Sequence, residues 1–336
     1  MRIAIDAMGG DLAPAEIIAG ALEARDVLDK DDEIVLIGDE PVIHEHLKRL
    51  NADPAVFRIF HAPEVIGMDE SPVEAIRRKK KSSIAVMARA ASHRQVDAVL
   101  SAGNTGACVA ACQLRIRNLE GVLRPGIATV FPTLGGPVTV CDVGANIVCK
   151  PIHLYQYAVM ACVYAEEMLG VQNPRVGLMN IGEEDAKGND LVKKTRSLLK
   201  ADSRINFIGN LEGRDIFEGT YDVVICEGFV GNVVLKTAEG LVNMIFKAIK
   251  DELIGHWWLA LQFKKVMTRI YKKYDYNEYG GALLLGVNGT AVICHGSSKA
   301  KTIRNAIIAC QKFYKRKINE KITQRLSLSS VVPNGQ

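Results

Sequence analysis

Short apolar runs alternate with loops of small and polar residues along most of the chain. The runs fall at 3–5, 34–37, 57–60, 99–100, 138–141, 176–179, 205–208, 223–226 and 292–294. Each is four residues or fewer and is followed by Gly, Asp, Asn, Glu, His or Ser. Runs of this kind, apolar on both faces, predict strands buried on both sides. Between many of them lie stretches with helical spacing, at 16–29, 154–169 and 302–317. Strands alternating with helices predict a largely parallel sheet covered on both faces, a three-layer α/β/α fold. Ligands of such sheets sit outside the carboxyl ends of the strands, so the glycine-rich loops are expected to converge on one cleft.

The stretch Val96 to Ala107 condenses this pattern. An apolar run ends at Ser101, Ala102-Gly103-Asn104 makes a tight loop, and Thr105-Gly106-Ala107 opens a helix. A helix start offers bare N–H groups and the positive end of its dipole to an anion. Gly103 and Gly106 let backbone approach a ligand closely, and Asn104 and Thr105 add side-chain donors. The same residues also read as an ordinary turn with an Asn cap.

Composition changes this picture little. The chain has 336 residues, 24% charged and 48% hydrophobic, with a net charge of +4. Those proportions suit a soluble globular protein with a large core. They give no sign of nucleic-acid binding. Eight cysteines contain no CxxC pair, which points to a reduced, cytoplasmic setting rather than a zinc ribbon or a disulfide framework. No uninterrupted apolar run reaches membrane-spanning length. Residues 1–320 are expected to form one catalytic domain, and the tail at 327–336 to be loose.

Two stretches depart from the pattern. Arg77, Arg78 and Lys79 belong to a run of five cations, which is either a solvated face or a patch for an anionic partner. Residues 251–279 interleave Trp257, Trp258, Leu261, Val266 and Ile270 with Lys264, Lys265 and Arg269. A basic amphipathic helix bearing Trp suits a membrane interface, and equally a core or dimer-interface helix.

No nucleophile elbow, HExxH, Walker lysine loop or three-glycine dinucleotide fingerprint occurs, so neither metal nor cofactor is expected. What remains is a set of loops rich in amides, Asn side chains and a few carboxylates. Such loops suit an oxyanion and a carbonyl held together, with catalysis by positioning.

The motifs DAMGGDLAP (6–14), SPVEAIRRKKKSS (71–83), SAGNTGA (101–107), DVGAN (142–146), PRVGLMNIGEEDAKGN (174–189), EGFVGNVVLKT (227–237), YGGALLLG (279–286) and HGSS (295–298) occur in this order. Together the chain resembles the bacterial phosphate acyltransferases of phospholipid synthesis over nearly its whole length. The resemblance implies an isopropylmalate dehydrogenase-like, phosphotransacetylase-like fold and a homodimer. It implies transfer of a long-chain acyl group from acyl carrier protein to inorganic phosphate. The acyl phosphate then passes to a membrane glycerol-3-phosphate acyltransferase. A short-chain phosphotransacetylase using coenzyme A is the alternative. On this reading Asn104, Thr105 and Gly106, with the close approach at Gly103, hold phosphate or the oxyanion. Lys187 and Asn189 supply charge and orientation, and Asn146 and Asn232 supply amides. Asp142 and Glu227 orient donors, and His295 protonates the leaving thiolate. Arg77, Arg78 and Lys79 dock the acidic carrier protein. Trp257, Trp258 and Leu261 touch the inner face of the cell membrane. Three departures from the family pattern stand out: Leu12 for a frequent His, Val148 for a common Asp, and Glu227 for the usual Asp.

Overall fold

A computed structural model describes residues 1–254, 257–274 and 279–328 of the chain. The side chains at 257, 259–261, 263 and 271–274 lie outside the described residues. In chain order the strands are β1 (Arg2–Asp6), β2 (Glu33–Gly38), β3 (Arg58–His61), β4 (Ala98–Ser101), β5 (Gly126–Thr133), β6 (Gly136–Cys141), β7 (Arg175–Met179), β8 (Asn206–Leu211), β9 (Val223–Ile225), β10 (Ala282–Leu285) and β11 (Thr290–Ile293). All belong to one sheet, ordered β3-β2-β1-β4-β11-β10-β5-β6-β9-β7-β8. The helices are α1 (Ala15–Arg25), α2 (Glu40–Arg49), α3 (Pro72–Arg78), α4 (Ser83–Ser92), α5 (Thr105–Arg115) and α6 (Pro151–Tyr164). They continue with α7 (Asp190–Ala201), α8 (Gly228–Glu252), α9 (Trp257–Tyr274), α10 (Ala300–Lys315) and α11 (Ile318–Ser327).

The period-2 alternation of strands separates two core layers. Ile3 and Ile5 of β1 join the layer that holds α1, α6, α10 and α11, while Ala4 joins the layer of α4, α5 and the first half of α8. Helices therefore cover both faces, as the sequence pattern predicts. The sheet is parallel except at its centre. There β10 runs antiparallel to β11 and β5, and β5 and β6 form an antiparallel hairpin. These reversals escape the sequence pattern, because a buried strand has the same composition in either direction.

The reversal places the site. One row of paired residues runs Ile5–Leu100–Val292–Leu283–Ala128–Cys141–Ile225–Leu178. Strands β1, β4 and β11 end within one residue of this row from one side, and β6, β9 and β7 end at or within one residue of it from the other. The carboxyl-end loops of both halves thus meet at the level of Ala128 and Thr129 on β5, and the expected convergence of loops is realised.

Away from the site, Asp202 follows α7 and anchors it. Its carboxylate takes hydrogen bonds from Arg204 Nη2 (2.7 Å) and Tyr155 Oη (2.6 Å). The Arg204 hydrogen bonds, reinforced by Tyr155, hold its pKa down at about 2 against the opposing effect of burial. A carboxyl whose folded pKa is depressed stabilises the fold above its unfolded pKa, and loses that contribution as pH falls through the folded value. Acid denaturation should therefore show a loss of roughly 1–2 kcal/mol between about pH 4 and pH 2, with Arg204 partly screened by solvent. Asp202→Asn should remove that slope in pH-dependent urea melts; an unchanged slope would contradict the assignment.

Candidate active site

A small cavity of about 110 Å³ opens at the meeting level of the two halves. Its floor is Ile127 and Thr129 of β5, Ala282 of β10 and Ile293 of β11. Three helices frame it: α5 through Thr105, α8 through Asn232, Leu235, Lys236 and Glu239, and α10 through Thr302. The loop after β11 closes it with Cys294, His295 and Ser298.

Asn104 shapes the α5 corner without facing the cavity. Its Oδ1 accepts from Ala107 N (3.0 Å) as the helix cap, and its Nδ2 donates to the carbonyls of Gly67, Met68 and Glu70 at 3.1–3.2 Å. Both ends of the amide are therefore committed to the chain, so the expectation that Asn104 grips phosphate gives way to a positioning role. Gly103 is likewise internal, its N–H donating to Ser101 Oγ (3.0 Å). Glycine is required opposite it. A Cβ on Gly9 would stand 2.8 Å from Gly103 N and 2.4 Å from Asp6 Oδ2. Asp6 itself is buried under Ser101 Oγ (2.7 Å), and burial raises its pKa. With Asn104 as the cap, the first-turn N–H groups of Thr105 and Gly106 remain the open donors of α5.

The loop after β6 is also internally satisfied. Asp142 is fully buried, and its Oδ1 accepts from Ile127, Gly144 and Ala145 N, its Oδ2 from Asn146 N. Burial raises its pKa against the pull of these four amides. Asn146 Nδ2 donates to Pro125 O (2.6 Å) and Tyr157 Oη (2.9 Å). Asn146 is therefore committed to the chain, which corrects its expected phosphate contact, and Asp142 orients four backbone donors. Glu227 caps α8 by accepting from Phe229 and Val230 N, so it orients a helix and does not contact the cavity. Gly231 lets α8 start against this loop: a Cβ there would lie 1.9 Å from Asp142 O. Asn232 follows, exposed, and its amide makes no hydrogen bond among the described residues.

Lys187 and Asn189 lie in the exposed loop after β7. That loop leaves the same sheet edge as Asn232, yet neither residue lines the cavity. Asn189 Oδ1 caps α7 through Val192 N (3.0 Å). The lysine within the cavity is Lys236, which sequence reading passed over although EGFVGNVVLKT contains it. Asn232, Lys236 and Glu239 follow helical i, i+4, i+7 spacing, which would have exposed one shared face. Lys236 Nζ lies 2.9 Å from Glu239 Oε2, and His295 Nε2 lies 3.9 Å from the same oxygen. Ser297 N donates to His295 Nδ1 (3.2 Å), so a neutral ring carries its proton on Nε2, toward Glu239. Ser298 was also missed. Its Oγ is buried and has no partner, an unspent hydroxyl on the cavity wall. Cys294 is buried beside it, and burial pushes its thiol up to about 12, so it stays protonated. Among the described residues no group of three or more His, Cys, Asp or Glu side chains is placed to hold a metal ion.

Arg77 is exposed, while Arg78 and Lys79 both pair with Glu70. This basic face is tied to the cavity rim: Asn104 holds the loop that ends in Glu70, and Pro72 of α3 packs on Gly106. Trp258 is half exposed, and the side chains of Trp257 and Leu261 lie outside the described residues. By length and composition α8 could cross a bilayer, although polar residues interrupt its apolar sequence. Its first half nevertheless packs on the core through Val230, Val234 and Ala238. The stretch from 327 was expected to be loose; α11 continues to Ser327, and 329–336 lie outside the described residues.

A largely parallel sheet with a cavity at the meeting strand ends, walled by a lysine and a histidine, defines a fold of the phosphotransacetylase type. A solved phosphotransacetylase from Streptococcus pyogenes shares this fold, with a TM-score of 0.64 at 16% identity over 94% of each chain. The family of fatty acid synthesis proteins matches residues 1–321. A phosphate acyltransferase of Desulfitobacterium hafniense is 50% identical over 97% of this chain and 98% of its own. One from Dictyoglomus turgidum is 45% identical over the same shares. The chain belongs to the phosphate acyltransferase family, a family of acyltransferase enzymes.

Proposed function

We propose that this cavity transfers a long-chain acyl group from acyl carrier protein to inorganic phosphate. The acyl phosphate product serves glycerol-3-phosphate acylation in phospholipid synthesis. The observation that carries the reading is the convergence of unspent anion-holding groups. These are the Thr105 amide, the orphan Ser298 hydroxyl and the free Asn232 amide, with Lys236 held beside them by Glu239. A phosphate oxygen attacks the thioester carbonyl and the C–S bond breaks. The proton of hydrogen phosphate passes through His295 to the departing thiolate, leaving acyl phosphate and free thiol. Lys236 offsets charge on phosphate and on the tetrahedral oxyanion. Family membership supports the acyl and phosphate halves of this reaction. The donor is tested by comparing palmitoyl-acyl carrier protein with palmitoyl- and acetyl-coenzyme A. Preference for the carrier protein is expected; preference for acetyl-coenzyme A would instead support the short-chain alternative.

Carrier-protein docking falls to the basic face beside α5, since acyl carrier protein is acidic. The free members of that face are Arg77, Lys80 and Lys81, with Arg78 and Lys79 held by Glu70. Replacing Arg77, Lys80 and Lys81 by Glu should raise KM for the carrier-protein substrate at least ~10-fold with kcat nearly constant. An equal fall in kcat would place these residues elsewhere in the reaction.

The distal half of α8 with α9 forms the reading's membrane and homodimer surface, at the inner face of the cytoplasmic membrane. Leu241, Met244, Ile245, Ile254, Trp258 and Ile270 are exposed there, interleaved with lysines. Changing Trp257 and Trp258 to Ser should abolish flotation with anionic liposomes, and undiminished flotation would contradict it.

A further inference from the structure

A second hollow adjoins the cavity and is almost wholly apolar. It measures about 260 Å³ and lies between the tip of the β5–β6 hairpin, the segment around Phe217, and α8. The two hollows share Glu239, whose carboxylate faces Lys236 and His295. They also share one face of β5: Ile127 and Thr129 line the cavity, and Phe131 and Thr133 line the hollow. Successive same-face residues of a strand lie about 6.6 Å apart, so β5 lays a path of about 13 Å from Thr129 to Thr133. On α8 the matching stripe runs from Leu235 in the cavity to Ala238 and Val242 in the hollow.

The walls are fixed and dry. Thr133 Oγ1 donates to Gly136 O (2.6 Å) and accepts from Gly135 N (3.2 Å), so its polar atom is spent within the hairpin. Leu134 N donates to Phe217 O (3.2 Å), and Gly135 meets Gly219 so closely that a Cβ would stand 2.9 Å from its Cα. Phe131 and Phe217 pack with centroids 5.9 Å apart. We propose that this hollow holds the hydrocarbon tail of the acyl donor while its thioester carbonyl sits in the cavity, and that residues 134, 238 and 242 set chain-length preference. The proposal rests on the acyl transfer read for the cavity. The tail is chosen as occupant because the path leads out of the cavity itself and its lining is almost wholly apolar.

The test compares acyl-acyl carrier protein donors of four, eight and sixteen carbons with phosphate. Ala238→Phe narrows the hollow from α8. Leu134→Asp changes an exposed hairpin residue, 76% accessible, and so leaves folding undisturbed. Both variants should lower kcat/KM for the sixteen-carbon donor at least ~10-fold and leave the four-carbon donor within about twofold. A chain-length profile like that of the wild type in Leu134→Asp overturns the proposal. So does equal loss at all lengths with a shift in sedimentation, which would make the hollow an interface between copies. If the wild type forms no acyl phosphate from any donor, the failure lies in the transfer reading itself.

Discussion

Lys236→Ala lowers kcat/KM for acyl phosphate formation at least ~100-fold while the melting temperature stays within a degree or two of wild type. The argument is electrostatic. Nucleophile and intermediate are both anionic, and Lys236 is the lysine on the cavity wall, held toward it by Glu239 at 2.9 Å. The side chain is partly exposed and carries no core packing, so its loss costs little stability. Lys236→Arg keeps the charge and should recover part of the rate. His295→Ala should show a comparable kcat loss, because protonation of the thiolate then falls to water. Lys187→Ala is the discriminating companion: a loss confined to that variant would move the charge to the loop after β7.

The second large effect concerns stability. Asp142→Ala leaves four N–H groups without an acceptor, the buried ones of Ile127 and Asn146 and the partly buried ones of Gly144 and Ala145. Each unsatisfied buried donor costs about 1–3 kcal/mol, so a loss of at least ~3 kcal/mol is expected. That corresponds to a fall in Tm on the order of 5–10 °C. Activity should fall as well, because Gly231 and the start of α8 rest on the Asp142 carbonyl. Differential scanning calorimetry decides this; a shift below about 1 kcal/mol would show that the loop repacks around water.

The sequence pattern exposes the repeating strands because buried strands are short, apolar and punctuated by glycine. It also places His295, Asn232 and Thr105 at loop–helix junctions, and these three meet in the cavity. It overreads Asn104 and Asn146. A polar residue in a glycine loop looks the same whether it faces a ligand or its own backbone, and here the backbone claims both. Lys236 and Glu239 stay hidden for the converse reason. They lie inside a helix whose first turn resembles one more glycine loop, so their face is visible only once α8 is known to begin at Gly228. The antiparallel β5, β6 and β10 leave no trace in composition, yet their register brings the two halves to one level.

The most direct measurement is mass spectrometry of the products from palmitoyl-acyl carrier protein and ¹⁸O-labelled phosphate, using the wild type beside Lys236→Ala and His295→Ala. The account predicts palmitoyl phosphate carrying the label, with an equal amount of free carrier-protein thiol, from the wild type and a marked loss in both variants. Undiminished product from both variants would contradict the placement of the reaction in this cavity, and release of palmitate without labelled acyl phosphate would contradict acyl transfer to phosphate.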